Sequence, residues 1–285
     1  MSFDFLEPER TMQDYLSSEE NLKAVVSMDI RCKNYLDLRE KYALSFDELL
    51  KTAERRVFRK EYAKGGETVH RGFYFPGYAT LFVGGMNRGR LLKRAPKDNR
   101  YNYEYWFDAE GEMICAFKYA KNLNFRLVDV EFLIYQNDEV MSFIFEKVQN
   151  NTYWLHGISN CYFSDNRLSR YELVWFCVAE TESAHTEMIE TESWETLIKS
   201  HCLQVKCSHV QVEECLRENG LMKDLHWFCY YPDFKSLNHQ LIQFNRSQEG
   251  FLTSYTIKQI SGFNRFPFSE NESQVYEVLE KRKDD

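Results

Sequence analysis

The densest group of potential metal ligands in this sequence lies in a 15-residue stretch centred near residue 208. The stretch contains His201, Cys202, Cys207, His209 and Cys215. Zinc takes four such ligands in a tetrahedral array, so there are enough donors here for one ion. However, the stretch lacks a Cys-x2-Cys pair, and on a continuous strand Cys202 and Cys207 would face opposite sides. Buried, reduced cysteines explain the pattern equally well, so we predict no metal and no cofactor.

The other histidines and cysteines form no recognised catalytic pattern. The sequence has no Gly-x-Ser-x-Gly elbow and no His-Glu-x-x-His motif. His156 and His226 both lie in apolar, strand-like runs, where a histidine is usually structural. We therefore name no catalytic residue, and an enzyme of an unrecognised type stays as an alternative.

A basic and aromatic stretch offers a second kind of chemistry, the binding of nucleic acid. Cations can neutralise phosphates while tyrosines stack on bases. Because the net charge of the chain is −8, the solvated rim of a sheet is the favoured interpretation, and a nucleic-acid-binding protein that uses residues 88–105 is an alternative. The residues concerned are Arg88, Arg90, Lys93, Arg94, Lys97, Arg100, Tyr101, Tyr103 and Tyr105.

An acidic segment between residues 180 and 195 contains no Lys or Arg among its 16 residues. A solvated loop would explain it, but clustered carboxylates also steer a basic protein partner and can cover its active site. Trp194 could supply an apolar anchor. The predicted partner-binding residues are Glu180, Glu182, Glu187, Glu190, Glu192, Trp194 and Glu195.

The elements that would position these residues change character near residue 66. Apolar spacing predicts helices over residues 19–42 and from Phe46 to about residue 66, the second with a capping box at Ser45 and Glu48. From residue 67 onward, alternating aromatic and β-branched residues predict strands. After residue 200 the pattern is mixed, with a strand over 201–209, a short helix over 211–219 and a last hairpin around Pro232 and Asp233.

Three polar turns are evenly spaced, near residues 109, 137 and 165. Each separates two strand-like runs, so we predict consecutive hairpins over residues 101–178 that present an exposed aromatic face. The fold class that follows is α+β: N-terminal helices packed on a large, mainly antiparallel, meandering sheet, with a smaller mixed C-terminal part. The predicted divisions are 1–66, 67–200 and 201–285, within one continuous globule.

The stretch from Tyr103 to Ile114, preceded by Gly89-Arg90-Leu91, resembles the YD-type repeat of bacterial Rhs proteins, in which an aromatic-Asp-x-x-Gly turn follows a Gly-Arg-Leu. The resemblance covers about 26 residues once and implies a strand-turn-strand meander. In style, the hairpins are also similar to immunity proteins of bacterial polymorphic toxins.

These observations together favour a non-catalytic protein-binding module, most concretely a bacterial immunity protein or antitoxin. It would mask a basic toxin through the acidic segment or the aromatic face. The N-terminus has no basic region followed by an apolar run, and no apolar stretch is long enough to span a membrane. We therefore expect a cytoplasmic protein.

Overall fold

In the part of the chain that the structure describes, consecutive antiparallel strands form one sheet, and two helices pack on one of its faces. The computed structural model describes residues 21–65, 89–95, 100–120, 123–148, 152–178, 205–261 and 273–282. The helices are α1 (Asn21–Tyr42) and α2 (Phe46–Arg56). The strands are β1 (Arg59–Lys64), β2 (Arg90–Leu91), β3 (Tyr103–Phe107), β4 (Met113–Ala120), β5 (Arg126–Gln136), β6 (Glu139–Lys147), β7 (Tyr153–Ser164), β8 (Arg167–Val178), β9 (Val205–Glu218), β10 (Leu221–Tyr231), β11 (Ser236–Arg246), β12 (Leu252–Ser261) and β13 (Ser273–Arg282).

These strands, thirteen within the described ranges, form one sheet in which nearly every strand pairs with its neighbours in sequence. The order runs from β13 through β12 and so on to β3, followed by β1 and β2. The hairpins predicted around residues 109, 137 and 165 are confirmed as β3–β4, β5–β6 and β7–β8. Asp165 and Asn166 have φ of 52° and 58°, a pattern that matches the right-handed twist of the strands they join.

Side chains on the helix-side face form the larger core. Phe132, Phe143 and Phe145 from the sheet pack against α1 and α2. Phe46 of α2 stacks on Tyr153 with ring centroids 3.7 Å apart. The structure does not form the predicted capping box, because the Ser45 side chain makes no cap hydrogen bond. Among the described residues, neither helix is long and apolar enough to cross a membrane.

The opposite side of the sheet, which we call the second face, carries a separate core. Tyr103, Tyr105 and Phe107 lie in it together with Leu133 and Tyr171. The predicted exposed aromatic face is therefore wrong for this hairpin, whose tyrosines are buried. The apolar contacts of both faces hold the central strands, so both faces contribute to stability.

Two predicted helical segments are strands. Residues 59–64 form β1 and pair with β3, because Val57 leaves the helix in an extended conformation and the Phe58 N–H donates to the Phe107 carbonyl over 2.8 Å. Residues 211–219 belong mostly to β9, which pairs with both β8 and β10. Gly220 ends a strand rather than a helix, with φ 78° in a two-residue turn after Asn219.

The predicted smaller mixed C-terminal part is therefore not a separate arrangement. Strands β9 to β13 continue the antiparallel order of the preceding strands, so the described residues are largely β with two helices. Residues 66–88, where the stretch predicted as strands begins, lie outside the described residues. The acidic segment 180–195, with Trp194, lies wholly outside them.

Candidate carboxylate site on the second face

Alternation along β5 places two carboxylates on the second face. Asp129 and Glu131 are two residues apart and therefore point to the same side of the sheet. Asp129 lies directly opposite Glu146 of β6 in the register. Two like charges directly opposite each other destabilise a sheet. We call Asp129, Glu131 and Glu146 the carboxylate cluster.

One cation and one histidine contact the cluster. The Lys118 Nζ lies 3.6 Å from Asp129 Oδ2, and the His156 Nε2 lies 3.6 Å from Asp129 Oδ1. Both distances exceed that of a good hydrogen bond, so Asp129 is only loosely neutralised. The Lys118 side chain is 45% exposed, whereas those of Asp129 and His156 are 22% and 18% exposed. Solvent therefore reaches the Lys118 and Asp129 edge of the cluster, while Glu131 lies deeper.

The environment shifts the pKa values of these groups away from their ordinary ranges. Burial raises the pKa of Glu131 to about 7, against a hydrogen bond from Ser142, and the nearby Asp129 charge adds to the rise. Burial and Asp129 also raise the pKa of Glu146. Burial, with Lys118 nearby, lowers the pKa of His156 to about 4. At neutral pH the histidine is therefore uncharged and Glu131 is about half ionised, and Lys118 is the cation that contacts Asp129.

One oxygen of Glu131 is a further polar atom of the site that lacks a hydrogen-bond donor in the described part of the chain. Its Oε1 is buried and accepts no hydrogen bond from the described residues. A buried carboxylate oxygen without a donor is costly, so such groups call for an explanation. An aromatic side chain borders the site, because the ring centroids of Trp175 and His156 lie 4.7 Å apart. Gly157 lets Trp175 approach, because a Cβ there would come within 2.7 Å of the indole.

The helix-side face carries a contrasting buried carboxylate, Glu172 of β8. The Arg31 Nε lies 3.3 Å from Glu172 Oε1, and the Arg170 Nε lies 3.2 Å from the same atom. The Tyr35 hydroxyl donates to Glu172 Oε2 over 3.0 Å. Burial acts to raise the pKa of Glu172, but Arg31 and Arg170 outweigh it and hold that pKa below its ordinary value. This network ties α1 to the sheet.

Two further histidines, the half-buried His226 and the buried His239, form a pair on the same face. The His226 Nδ1 and His239 Nε2 lie 3.0 Å apart, and His239 stacks on Phe228 with centroids 4.3 Å apart. Burial and His226 lower the pKa of His239 to about 3. His226 is thus a structural histidine, as its apolar context predicts. His156 is different, because it borders the open carboxylate cluster.

The residues of the predicted metal group are not brought together where the structure describes them. His201 and Cys202 lie outside the described residues. Cys207 lies in the helix-side core, whereas Cys215 packs with the second-face residues of β9 to β12. Eight residues of extended strand separate them by about 26 Å. Within the described ranges, no three His, Cys, Asp or Glu residues could hold a metal ion.

Three of the described cysteines have environments that disfavour the thiolate form. Burial raises the pKa of Cys115, Cys161 and Cys229. A thiol with a raised pKa is protonated at neutral pH, and the thiolate is the reactive form. These cysteines therefore serve as small core side chains.

Comparison with known proteins adds little to this geometry. No family model matches the chain, and no curated protein matches it. A crystal structure of a protein of unknown function from Bacteroides fragilis NCTC 9343 covers 50% of this chain and 91% of its own, with a TM-score of 0.31 and 9% identity. A likeness at this level carries no argument about fold or function.

Proposed function

We propose that this protein is a non-catalytic module that binds a basic protein, most concretely a bacterial immunity protein or antitoxin acting in the cytoplasm. The observation that carries the proposal is the carboxylate cluster. Asp129 and Glu146 face each other across two strands, and Glu131 keeps a buried oxygen without a donor. A guanidinium or ammonium group from a partner, placed at the solvent-exposed edge of the cluster near Asp129, would balance its negative charge.

The composition of the acidic segment, and the place of the residues that flank it, support the same partner class. Residues 179–204 connect β8 to β9, and their flanking residues Val178 and Val205 pair with each other. These two flanking residues lie at the end of the sheet where β5 begins, near Asp129. Three strand spacings, about 14 Å, separate β5 from β8. The six glutamates between residues 180 and 195 and the carboxylate cluster would then act on one basic surface.

The rigidity of the scaffold also supports a masking role. A partner surface is bound more tightly when the binding side chains are held in place beforehand. Asp129 and Glu131 lie on a strand paired on both sides, with β4 and β6. Little backbone conformational entropy is therefore lost at these two residues when a partner binds.

The test is a calorimetric titration with the basic product of a neighbouring gene. The double variant Asp129→Asn with Glu146→Gln should bind at least tenfold more weakly than wild type, with a smaller dependence on salt. A matched control replaces the exposed carboxylates Glu110 and Glu249 with glutamine and should bind as wild type does. The absence of any basic protein partner among neighbouring gene products, or equal binding by both double variants, would end the proposal.

A further inference from the structure

A second charged surface, opposite in sign, lies at the β1–β2 end of the sheet. The C-terminal part of α2 and strand β1 contribute six cations against two carboxylates over residues 51–64. Strand β2 brings more cations alongside, because Lys64 pairs with Arg90. We call this surface the basic edge, and it comprises Lys51, Arg55, Arg56, Arg59, Lys60, Lys64, Arg90, Lys93 and Arg94.

An exposed aromatic ring lies at the α2–β1 junction, at the start of the strand that carries several of these cations. Phe58 is 78% exposed, although most large apolar side chains in the described residues are buried. Its backbone N–H donates to the Phe107 carbonyl over 2.8 Å, so the backbone of the residue is held against β3. Arg56 and Arg59 flank it in sequence, and alternation along the extended chain places Phe58 on the same side as Lys60.

Neighbouring contacts hold part of the basic edge in place. The Arg56 Nη2 lies 2.6 Å from the buried Asp108 Oδ2. The Lys60 Nζ lies 4.1 Å from the centre of the Trp106 ring, and the Arg59 guanidinium lies 4.0 Å from that of Phe107. All three cations also pair with carboxylates, Arg56 with Asp108, Arg59 with Glu61 and Lys60 with Glu104, so they hold the edge in place. Arg55, Lys64 and Arg90 are the members of the basic edge that we assign to the phosphates.

Protection of a sheet edge explains only part of this arrangement. Lysine and arginine on an edge strand prevent pairing with another sheet. That role does not need an exposed phenylalanine, which by itself favours association. Cations around an exposed aromatic ring are instead the combination that binds a single-stranded nucleic acid, with phosphates on the cations and a base on the ring.

We propose that the basic edge binds single-stranded nucleic acid and that Phe58 stacks on one base. A single strand is favoured over a duplex because its bases are free to stack on a protein side chain. The site differs from the sequence prediction for residues 88–105. Tyr101, Tyr103 and Tyr105 are buried, so the stacking residue comes from the α2–β1 junction, while Arg90 and its neighbours supply charge only.

The test is fluorescence anisotropy with a labelled single-stranded RNA of mixed sequence, about 15 nucleotides long. Phe58→Ala should weaken binding about tenfold. The control Phe234→Ala, which removes another ring that is 65% exposed, should leave binding unchanged. Both positions are on the surface, so both variants should melt like wild type.

Charge variants test the phosphate contacts. Replacing Arg55, Lys64 and Arg90 with glutamine should lower the slope of log affinity against log salt by about 2, since each phosphate contact in a single strand contributes about 0.7. Replacing the exposed cations Arg126, Arg167 and Lys258 should leave the slope unchanged. No binding by wild type, equal effects of the Phe58 and Phe234 variants, or equally tight binding of poly-L-glutamate would overturn the proposal. These results leave the carboxylate cluster, on other strands, to be tested separately.

Discussion

Glu172 and Glu131 are both removed from bulk water, yet their environments are opposite. Glu172, on the helix-side face, accepts from Tyr35 and contacts Arg31 and Arg170, so its pKa is lowered. Glu131, on the second face, has a hydrogen bond from Ser142 and a buried Oε1 without a donor, and its pKa is raised to about 7. Side chains of the fold itself supply the charge and hydrogen-bond partners of Glu172. One oxygen of Glu131 has no donor among the described residues, and this difference separates a structural ion network from a candidate binding site.

Loss of the Glu172 charge has the largest expected effect. Glu172→Gln leaves Arg31 and Arg170 buried beside a neutral amide, and breaking a buried pair in this way costs about 3 to 5 kcal/mol. The free energy of unfolding measured by urea denaturation at pH 7 should fall by that amount. A loss below about 1 kcal/mol would show that the network does not hold α1 to the sheet.

Loss of the Glu131 charge should act in the opposite direction. The folded-state pKa of Glu131 lies above the unfolded value, so the folded state binds more protons between about pH 4.5 and 7, and stability falls as the pH rises through this range. At pH 8, Glu131→Gln should therefore be more stable than wild type by up to about 3 kcal/mol. At pH 4 the two proteins should unfold at the same urea concentration. A destabilised variant at pH 8 would contradict this account of the site.

His156 should impose the reverse pH dependence at lower pH. Its folded-state pKa of about 4 lies below the ordinary value, so the unfolded state binds more protons between about pH 4 and 6.5, and stability rises with pH there. His156→Gln should remove roughly 2 to 3 kcal/mol of this rise. Urea melts of the variant and of wild type at pH 4.5 and 6.5 measure the difference. Parallel pH profiles would place His156 outside the perturbed site.

The smallest effect is expected for Asp129. Asp129→Asn removes one of two carboxylates that face each other across β5 and β6, which should raise stability by about 0.5 to 1 kcal/mol. Glu110→Gln, at an exposed turn, serves as the control and should change stability by less than that. Thermal melts at low salt are the suitable measurement, and a marked loss of stability in Asp129→Asn would show that its contacts with Lys118 and His156 outweigh the repulsion.

Turn chemistry made the hairpins predictable. Asp108 to Gly111, Asn137-Asp138 and Asp165-Asn166 are residues that accept turn dihedrals, and alternating side chains on both sides define the strands. Two segments predicted as helices form strands, and the cause is the same for both. Arg59 to Lys64 and Gln211 to Asn219 are rich in residues that are common in helices, and pairing with β3, β8 and β10 overrides that local preference.

Only part of the candidate site could be predicted from the sequence. The alternation Val128-Asp129-Val130-Glu131 already places two acids on one face of a strand. Glu146 and His156 are 15 or more residues away, and only the register of β5, β6 and β7 brings them to Asp129. The bulge that turns His156 toward the second face, between Ile144 and Phe145 in the register, has no clear sequence signal.

The most direct test of the central claim is an NMR titration of the Glu131 carboxyl carbon, alone and in complex with the basic partner protein. If the site is an unfilled cation site, the midpoint should lie near pH 7 in the free protein and fall by at least about one unit in the complex. A midpoint near the ordinary glutamate value in the free protein, or one that the partner leaves unchanged, would contradict it.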